Sequence, residues 1–237
     1  MTTIRVAGLN KSYGEFQAVH DVGFTARPGR VVGLLGPNGA GKTTTLHMLL
    51  GLAAADAGSA TFDDRRYADL DSPSRVVGAL LDAGGLHPGR TGRDHLRVLA
   101  TAARLPGHRV DEVIDVVGLR PAAHRRVRTY SLGMKQRLGI AGALLGSPDV
   151  LVLDEPANGL DPAGMRWLRG LLRSFAADGG TVLLASHVLA EVAQVADDLV
   201  VIGQGRVVAD GPLDELVTDR SLEDVYLDLT AATEGVR

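Results

Sequence analysis

Eight consecutive residues, Gly36-Pro37-Asn38-Gly39-Ala40-Gly41-Lys42-Thr43, restrict this chain more than any other stretch. They follow a nearly continuous apolar run, Val31 to Leu35, and lead into a helical pattern from Thr43 to Leu50. A buried strand, a glycine-rich turn and a helix in that order match G-x-x-x-x-G-K-[ST] in the context the motif requires. Each residue type has a physical task. The glycines let backbone N–H groups turn inward to a phosphate, and the helix adds the positive end of its dipole. Lys42 reaches the β- and γ-phosphates as a point charge, and the Thr43 hydroxyl is a ligand for Mg²⁺. The predicted core is therefore α/β with a parallel sheet and a phosphate cradle.

Composition narrows the classes. The chain has 237 residues, 45% of them hydrophobic and 22% charged, enough for one domain with a sizeable core and not the signature of a disordered chain. A balance of 25 basic against 28 acidic residues, net −3, argues against a general nucleic-acid binder. Cysteine is absent, which removes disulfides, thiolate metal sites and cysteine nucleophiles together. Lysine is avoided, so Lys11, Lys42 and Lys135 stand out against 22 arginines. The start lacks the basic and apolar segments of a signal peptide, and no apolar run is long enough for a membrane span. The expectation is a chain that does not cross a membrane by itself.

Apolar runs alternate with helical stretches along the sequence. Short strands are expected at Ile4 to Val6, Val19 to Phe24, Gly58 to Phe62 and Val76 to Leu81, then at Val150 to Leu153, Thr181 to Ala185 and Leu199 to Ile202. The last turns through Gly203 to Gly205 into a hairpin with Arg206 to Val208. Residues 86–128 carry nine arginines and four acids, with helical spacing in Asp94 to Ala103 and Val110 to Val117. They predict a helical subdomain inserted at about 86–147 in a single domain spanning 1–237. Ser221 and Asp224 have the spacing of a capping box at the start of a final helix.

A cradle alone leaves several nucleotide enzymes open. A GTPase needs a downstream N-K-x-D, and the single Asn-Lys pair, Asn10-Lys11, precedes the cradle and continues as Ser12-Tyr13. The run Val150 to Leu153 ends in Asp154 and Glu155. Carboxylates at the end of a buried strand need a counter-charge, which Mg²⁺ and Lys42 would supply. Asp154 is then the metal-side carboxylate and Glu155 the general base for an attacking water. Upstream, Tyr130-Ser131-Leu132-Gly133-Met134-Lys135-Gln136-Arg137 leads an alanine- and leucine-rich helix for which Ser131 is a good N-cap.

The order of cradle, S-x-G-x-x-Q-R, D-E-P, G-L-D and Ser-His resembles the ATP-binding subunit of ABC transporters over nearly the whole chain. The resemblance implies a P-loop NTPase core with an N-terminal antiparallel β subdomain and the inserted helical one, binding ATP and Mg²⁺. It implies two such subunits, identical or homologous, paired head to tail around two ATP molecules. Nucleotide would then contact Tyr13 by stacking, Gly36 through Lys42 and Thr43 with Thr44 beside it, and the other subunit's Ser131, Gly133 and Met134. Asp161 falls in the loop that couples the two sites. His187 matches the switch histidine and joins Glu155 and Lys42 as catalytic candidates. Thr43, Asp154 and Asp82 are the metal-side candidates.

Three positions depart from the family pattern. Leu132 and Met134 replace a glycine and a glutamine of the usual signature, and Asp82 stands where a glutamine is usual. The acid at Asp82, with S-L-G-M-K-Q-R-L, resembles the branch that serves two-component exporters of antibiotics and peptides. The implied place is the cytoplasmic face of the cell membrane, with an integral membrane transport subunit docked near residues 83–97 and no nucleic-acid partner. The arginine-rich insertion is either part of that docking surface, a contact for anionic headgroups, or a solvated helical face. The alternatives are an importer subunit, a soluble relative acting on ribosomes or DNA, and an unrelated P-loop kinase, for which no phosphoacceptor pocket is legible.

Overall fold

The computed structural model describes residues 1–81, 85–217 and 221–234. Among them the chain runs through β1 (Ile4–Tyr13), β2 (Phe16–Ala26), β3 (Val31–Leu35), α1 (Lys42–Leu49), β4 (Ala57–Phe62), α2 (Pro73–Val76) and β5 (Val77–Leu80). It continues through α3 (Gly92–Ala102), α4 (Arg109–Val116), α5 (Leu132–Leu144), β6 (Val150–Asp154), α6 (Pro162–Ala177), β7 (Thr181–Ser186) and α7 (Leu189–Val192). It ends with β8 (Asp198–Gly203), β9 (Arg206–Pro212), α8 (Leu213–Leu216) and α9 (Leu222–Glu234). No helix of the described residues is long and apolar enough to cross a membrane.

Six strands form the main sheet in the order β5-β6-β7-β3-β8-β9, parallel except for the β8–β9 hairpin. Such a sheet is covered on both faces, which is why its central strands read as unbroken apolar runs. Alternate residues serve two different cores. Val31, Leu35, Leu151, Leu153, Val182 and Leu184 join the helical side with α5 and α6. Val32, Leu34, Val150, Val152, Leu183 and Ala185 join the side formed by α1 and the second sheet. The second sheet is antiparallel, in the order β2-β1-β4.

That antiparallel sheet is longer than its sequence suggests. β1 has 10 residues and β2 has 11, where only short strands are expected. Their pairing shifts register between Val6 and Leu9, Leu9 and Lys11, and Lys11 and Ser12. Each bulge moves the following side chains to the opposite face, so two-residue alternation survives only in fragments.

Helices α3, α4 and α5 lie between β5 and β6 in the chain. Thr91 caps α3 by accepting from the Asp94 N–H at 3.1 Å. Arg137 of α5 stacks 4.3 Å from the Trp167 ring of α6 and donates to the Val117 carbonyl at 2.9 Å, so α5 is held to both neighbours. The four acids of residues 86–128 are all used locally, in pairs Arg97–Asp94, Arg93–Asp111, Arg109–Glu112 and Arg120–Asp115. The excess positive charge therefore rests on the other arginines, including exposed Arg90, Arg126 and Arg128. Ser221 caps α9 by accepting from the Asp224 N–H at 3.1 Å, as its spacing predicts.

Candidate functional site

The carboxyl ends of β3, β6 and β7 meet at one edge of the sheet. Leu35 pairs with Ser186, and Asp154 pairs with Ala185. Residues far apart in sequence, Gly36, Asp154 and Ser186, are thereby brought side by side, where ligands bind in open α/β sheets. The cavity there measures about 520 Å³ and is lined by Tyr13, Phe16, Ala18, the segment Asn38 to Thr44, Leu81, Asp154, Glu155 and Asn158.

Helix α1 begins differently from α3, α5 and α6. Thr91, Ser131 and Asp161 cap α3, α5 and α6 with side-chain oxygens, whereas α1 starts on Gly41 with no side-chain cap and no acid in its first turn. Gly41 has φ 105°, and a Cβ there would lie 2.5 Å from the Ala18 carbonyl oxygen, so glycine is required. The bare amides of the first turn leave an anion site at the cavity floor.

Lys42 is buried, and its Nζ donates to the Gly36 carbonyl at 2.7 Å and the Pro37 carbonyl at 3.2 Å. An ammonium has three donors, so one remains for a ligand. Burial lowers the Lys42 pKa, while the charges of Glu155 and Asp154 raise it in part. Asp154 is only 8% exposed, and its Oδ2 accepts from the Thr43 hydroxyl at 2.7 Å. Burial raises its pKa above the ordinary carboxylate range, with the Glu155 charge adding to the rise and the Thr43 bond and Lys42 opposing it. A half-compensated carboxylate beside a hydroxyl is a hard-oxygen donor pair, which suits Mg²⁺ completed by phosphate oxygens and water.

Glu155 holds an uncommon backbone conformation, φ 50°, which costs a non-glycine residue about 1–2 kcal/mol. Its N–H donates to the Ala185 carbonyl at 2.9 Å, and its carbonyl accepts from the Asn158 N–H at 3.2 Å and from Gln136 Nε2 at 3.1 Å. At about 1 kcal/mol each, those three bonds together exceed the strain. The side chain is held as firmly. Oε1 lies 2.7 Å from His187 Nδ1, and Oε2 accepts from the Ser186 hydroxyl at 3.3 Å. An ionised carboxylate only accepts, so Nδ1 carries the hydrogen in that pair.

Tyr13 is 53% exposed at the cavity mouth. Phe16, its cross-strand partner in the β1–β2 hairpin, also lines the cavity and is exposed. Sequence reasoning missed Phe16, although two aromatics flanking Gly14-Glu15 in an aromatic-poor chain are a usable signal. Gln136, quoted in the S-x-G-x-x-Q-R motif but given no role from the sequence, is a buried amide on an otherwise apolar helix face.

Ser131 caps α5 by accepting from the Met134 N–H at 3.2 Å, and Gly133 and Met134 lie in its first turn. Asp161 caps α6, accepting from the Gly164 N–H at 2.7 Å. None of these four lines the chain's own cavity. Asp82 lies outside the described residues.

A phosphate cradle facing paired acids and a histidine across a parallel sheet defines a P-loop nucleotide hydrolase. Residues 19–158 match the ABC transporter family, and the chain belongs to that family as an ATP-hydrolysing transporter subunit. It is 36% identical over 223 residues to the lantibiotic transport ATP-binding protein SrtF of Streptococcus pyogenes, covering 94% of this chain and 95% of that one. It is 38% identical over 218 residues to the bacitracin transport ATP-binding protein BcrA of Bacillus licheniformis, covering 91% and 71%. A solved ATP-binding subunit of an ABC transporter superposes with a TM-score of 0.87 at 29% identity, covering 96% of this chain and 99% of that one.

Proposed function

We propose that this subunit binds Mg²⁺ and ATP in the cavity at the end of β3 and closes on a second copy of itself, or a homologous subunit, to power a separate transmembrane exporter. The observation that carries the reading is the joint placement of Lys42, the Thr43–Asp154 pair and Glu155 on the walls of one nucleotide-sized cavity.

Lys42 keeps one donor for the β- and γ-phosphates, and the α1 amides receive the same groups. Tyr13 and Phe16 offer a stacking face to the base at the mouth. Glu155, held by His187 and Ser186, takes the proton from water attacking the γ-phosphate. His187 then orients that carboxylate and the water together. Mg²⁺ held by Thr43 and Asp154 would neutralise charge developing on the phosphoryl oxygens. Ser131 and Gly133 sit on an exposed helix end outside the chain's own cavity, which supports a role at the nucleotide of a paired subunit.

The membrane partner docks at an apolar groove of about 590 Å³ between β5, α3 and α5, bordered by Leu80, Leu86, His95, Leu99, Gly139 and Gly142. Export is favoured because a relative 39% identical over 220 residues is named for Nod factor export. The subunit is accordingly peripheral, on the cytoplasmic face. Tagged Glu155→Gln protein, recovered with Mg-ATP from gently solubilised native membranes, should bring down a stoichiometric polytopic membrane protein. Ribosomal or DNA-bound partners without one would move the chain to the soluble branch of the family.

A further inference from the structure

We infer that Gln136 is a positioning residue that ties the signature helix to the hydrolytic carboxylate of the same chain. This rests on the ATPase reading and adds a device to it. Gln136 is 3% exposed, on a stretch of α5 whose other buried residues are Leu138, Ile140, Ala141 and Ala143. An amide in such a place is costly unless it is hydrogen-bonded. Its bond goes to one group, the Glu155 carbonyl, at 3.1 Å. That carbonyl also accepts from the Asn158 N–H at 3.2 Å, closing the turn that leads into Gly159.

A second contact joins the same two segments. Gly159 has φ 76°, and a Cβ there would lie 2.3 Å from Leu132 Cγ. A Cβ on Gly133 would lie 2.9 Å from the Gly159 carbonyl oxygen. The first turn of α5 thus rests directly on the Gly159 backbone, while Gln136, one turn further along, holds the Glu155 peptide. Close-packed contacts of this kind transmit displacement. Helix α5 cannot shift along its axis without moving both the Gly159 turn and the strained peptide that aims the Glu155 carboxylate. Its exposed end is the part assigned to the paired subunit's nucleotide. Occupancy of one site would thereby set the hydrolytic geometry of the other through Gln136.

Two variants test this. Gln136→Met keeps length and apolar volume but loses the donor; kcat should fall ten-fold or more with ATP affinity within two-fold of wild type. Gln136→Glu places a carboxylate against the Glu155 carbonyl; its kcat should be low at neutral pH and recover as acidification restores an O–H donor, while wild-type kcat does not rise over that range. If Gln136→Met fails to fold, the acid recovery of Gln136→Glu decides alone, and its absence overturns the proposal. Mixed dimers then locate the effect. With Gln136→Met and Glu155→Gln on one chain and a wild-type partner, about half of the activity should remain. With the two changes on opposite chains, activity should nearly vanish. Equal activity in both arrangements, or a loss confined to KM, overturns the proposal. The ATPase reading fails separately, if Glu155→Gln alone hydrolyses ATP at the wild-type rate.

Discussion

The Thr43 hydroxyl and the Asp154 carboxylate stand 2.7 Å apart, although 111 positions separate them in the chain. β3 and β6 are both neighbours of β7, so the ends of two non-adjacent strands bring the pair together. The arrangement is electrostatically unfinished, since burial holds the Asp154 pKa above its ordinary value and depresses that of Lys42.

That imbalance has a sign. A carboxyl whose folded pKa exceeds its unfolded one contributes stability below the unfolded value and loses it as pH rises through the folded value. At neutral pH Asp154 therefore costs stability in the protein without nucleotide. Asp154→Asn should raise the thermal midpoint of nucleotide-free protein at pH 7. The gain should shrink to nothing below about pH 3, where both forms are neutral. Mg²⁺-dependent hydrolysis should be lost in the same variant. Thermal melts across that pH range check the first part, and a lower midpoint at pH 7 contradicts it.

Lys42→Ala removes the ammonium of the cradle. Loss of charged hydrogen bonds to phosphate should weaken ATP binding by about ten- to hundred-fold. Titration with a fluorescent ATP analogue measures this, and unchanged affinity would remove Lys42 from the phosphate site.

Tyr13→Ala should weaken ATP binding through lost stacking, worth about 1–3 kcal/mol per base. Binding of inorganic tripolyphosphate, which has no base, should be unaffected, and Tyr13→Trp should retain ATP affinity. Phe16→Ala should act in the same direction. Equal losses for ATP and tripolyphosphate would show that Tyr13 acts on the phosphates or the fold instead.

Leu99 borders the apolar groove beside α5 and is partly exposed. Leu99→Arg should abolish co-purification with the membrane subunit while leaving nucleotide affinity within two-fold, because Leu99 does not line the nucleotide cavity. Undiminished recovery of the partner would move the docking surface elsewhere.

The cradle and the acid pair were legible because each is a contiguous motif at a strand end, and strands β3, β6 and β7 are contiguous apolar runs. Strands β1 and β2 were legible only in fragments, since bulges break the alternation that marks a strand. Ser131 is legible as an N-cap and does cap α5, whereas the cap that Asp161 makes on α6 is not what its place in the coupling loop suggests. Gln136 is visible in S-x-G-x-x-Q-R but its task is not, because its partner is a backbone carbonyl, a group with no residue signature. The Glu155 conformation was hidden for a related reason: glutamate has no preference for positive φ, and three bonds from separate segments impose it.

Single-turnover hydrolysis of ATP by purified Glu155→Gln protein tests the central claim most directly. Removing a general base slows chemistry by about 10²–10⁴-fold. The account predicts wild-type ATP affinity with hydrolysis slowed by that order, leaving ATP intact on the protein. Hydrolysis at the wild-type rate would contradict it, because the carboxylate held by His187 and Ser186 would then not be the group that activates water.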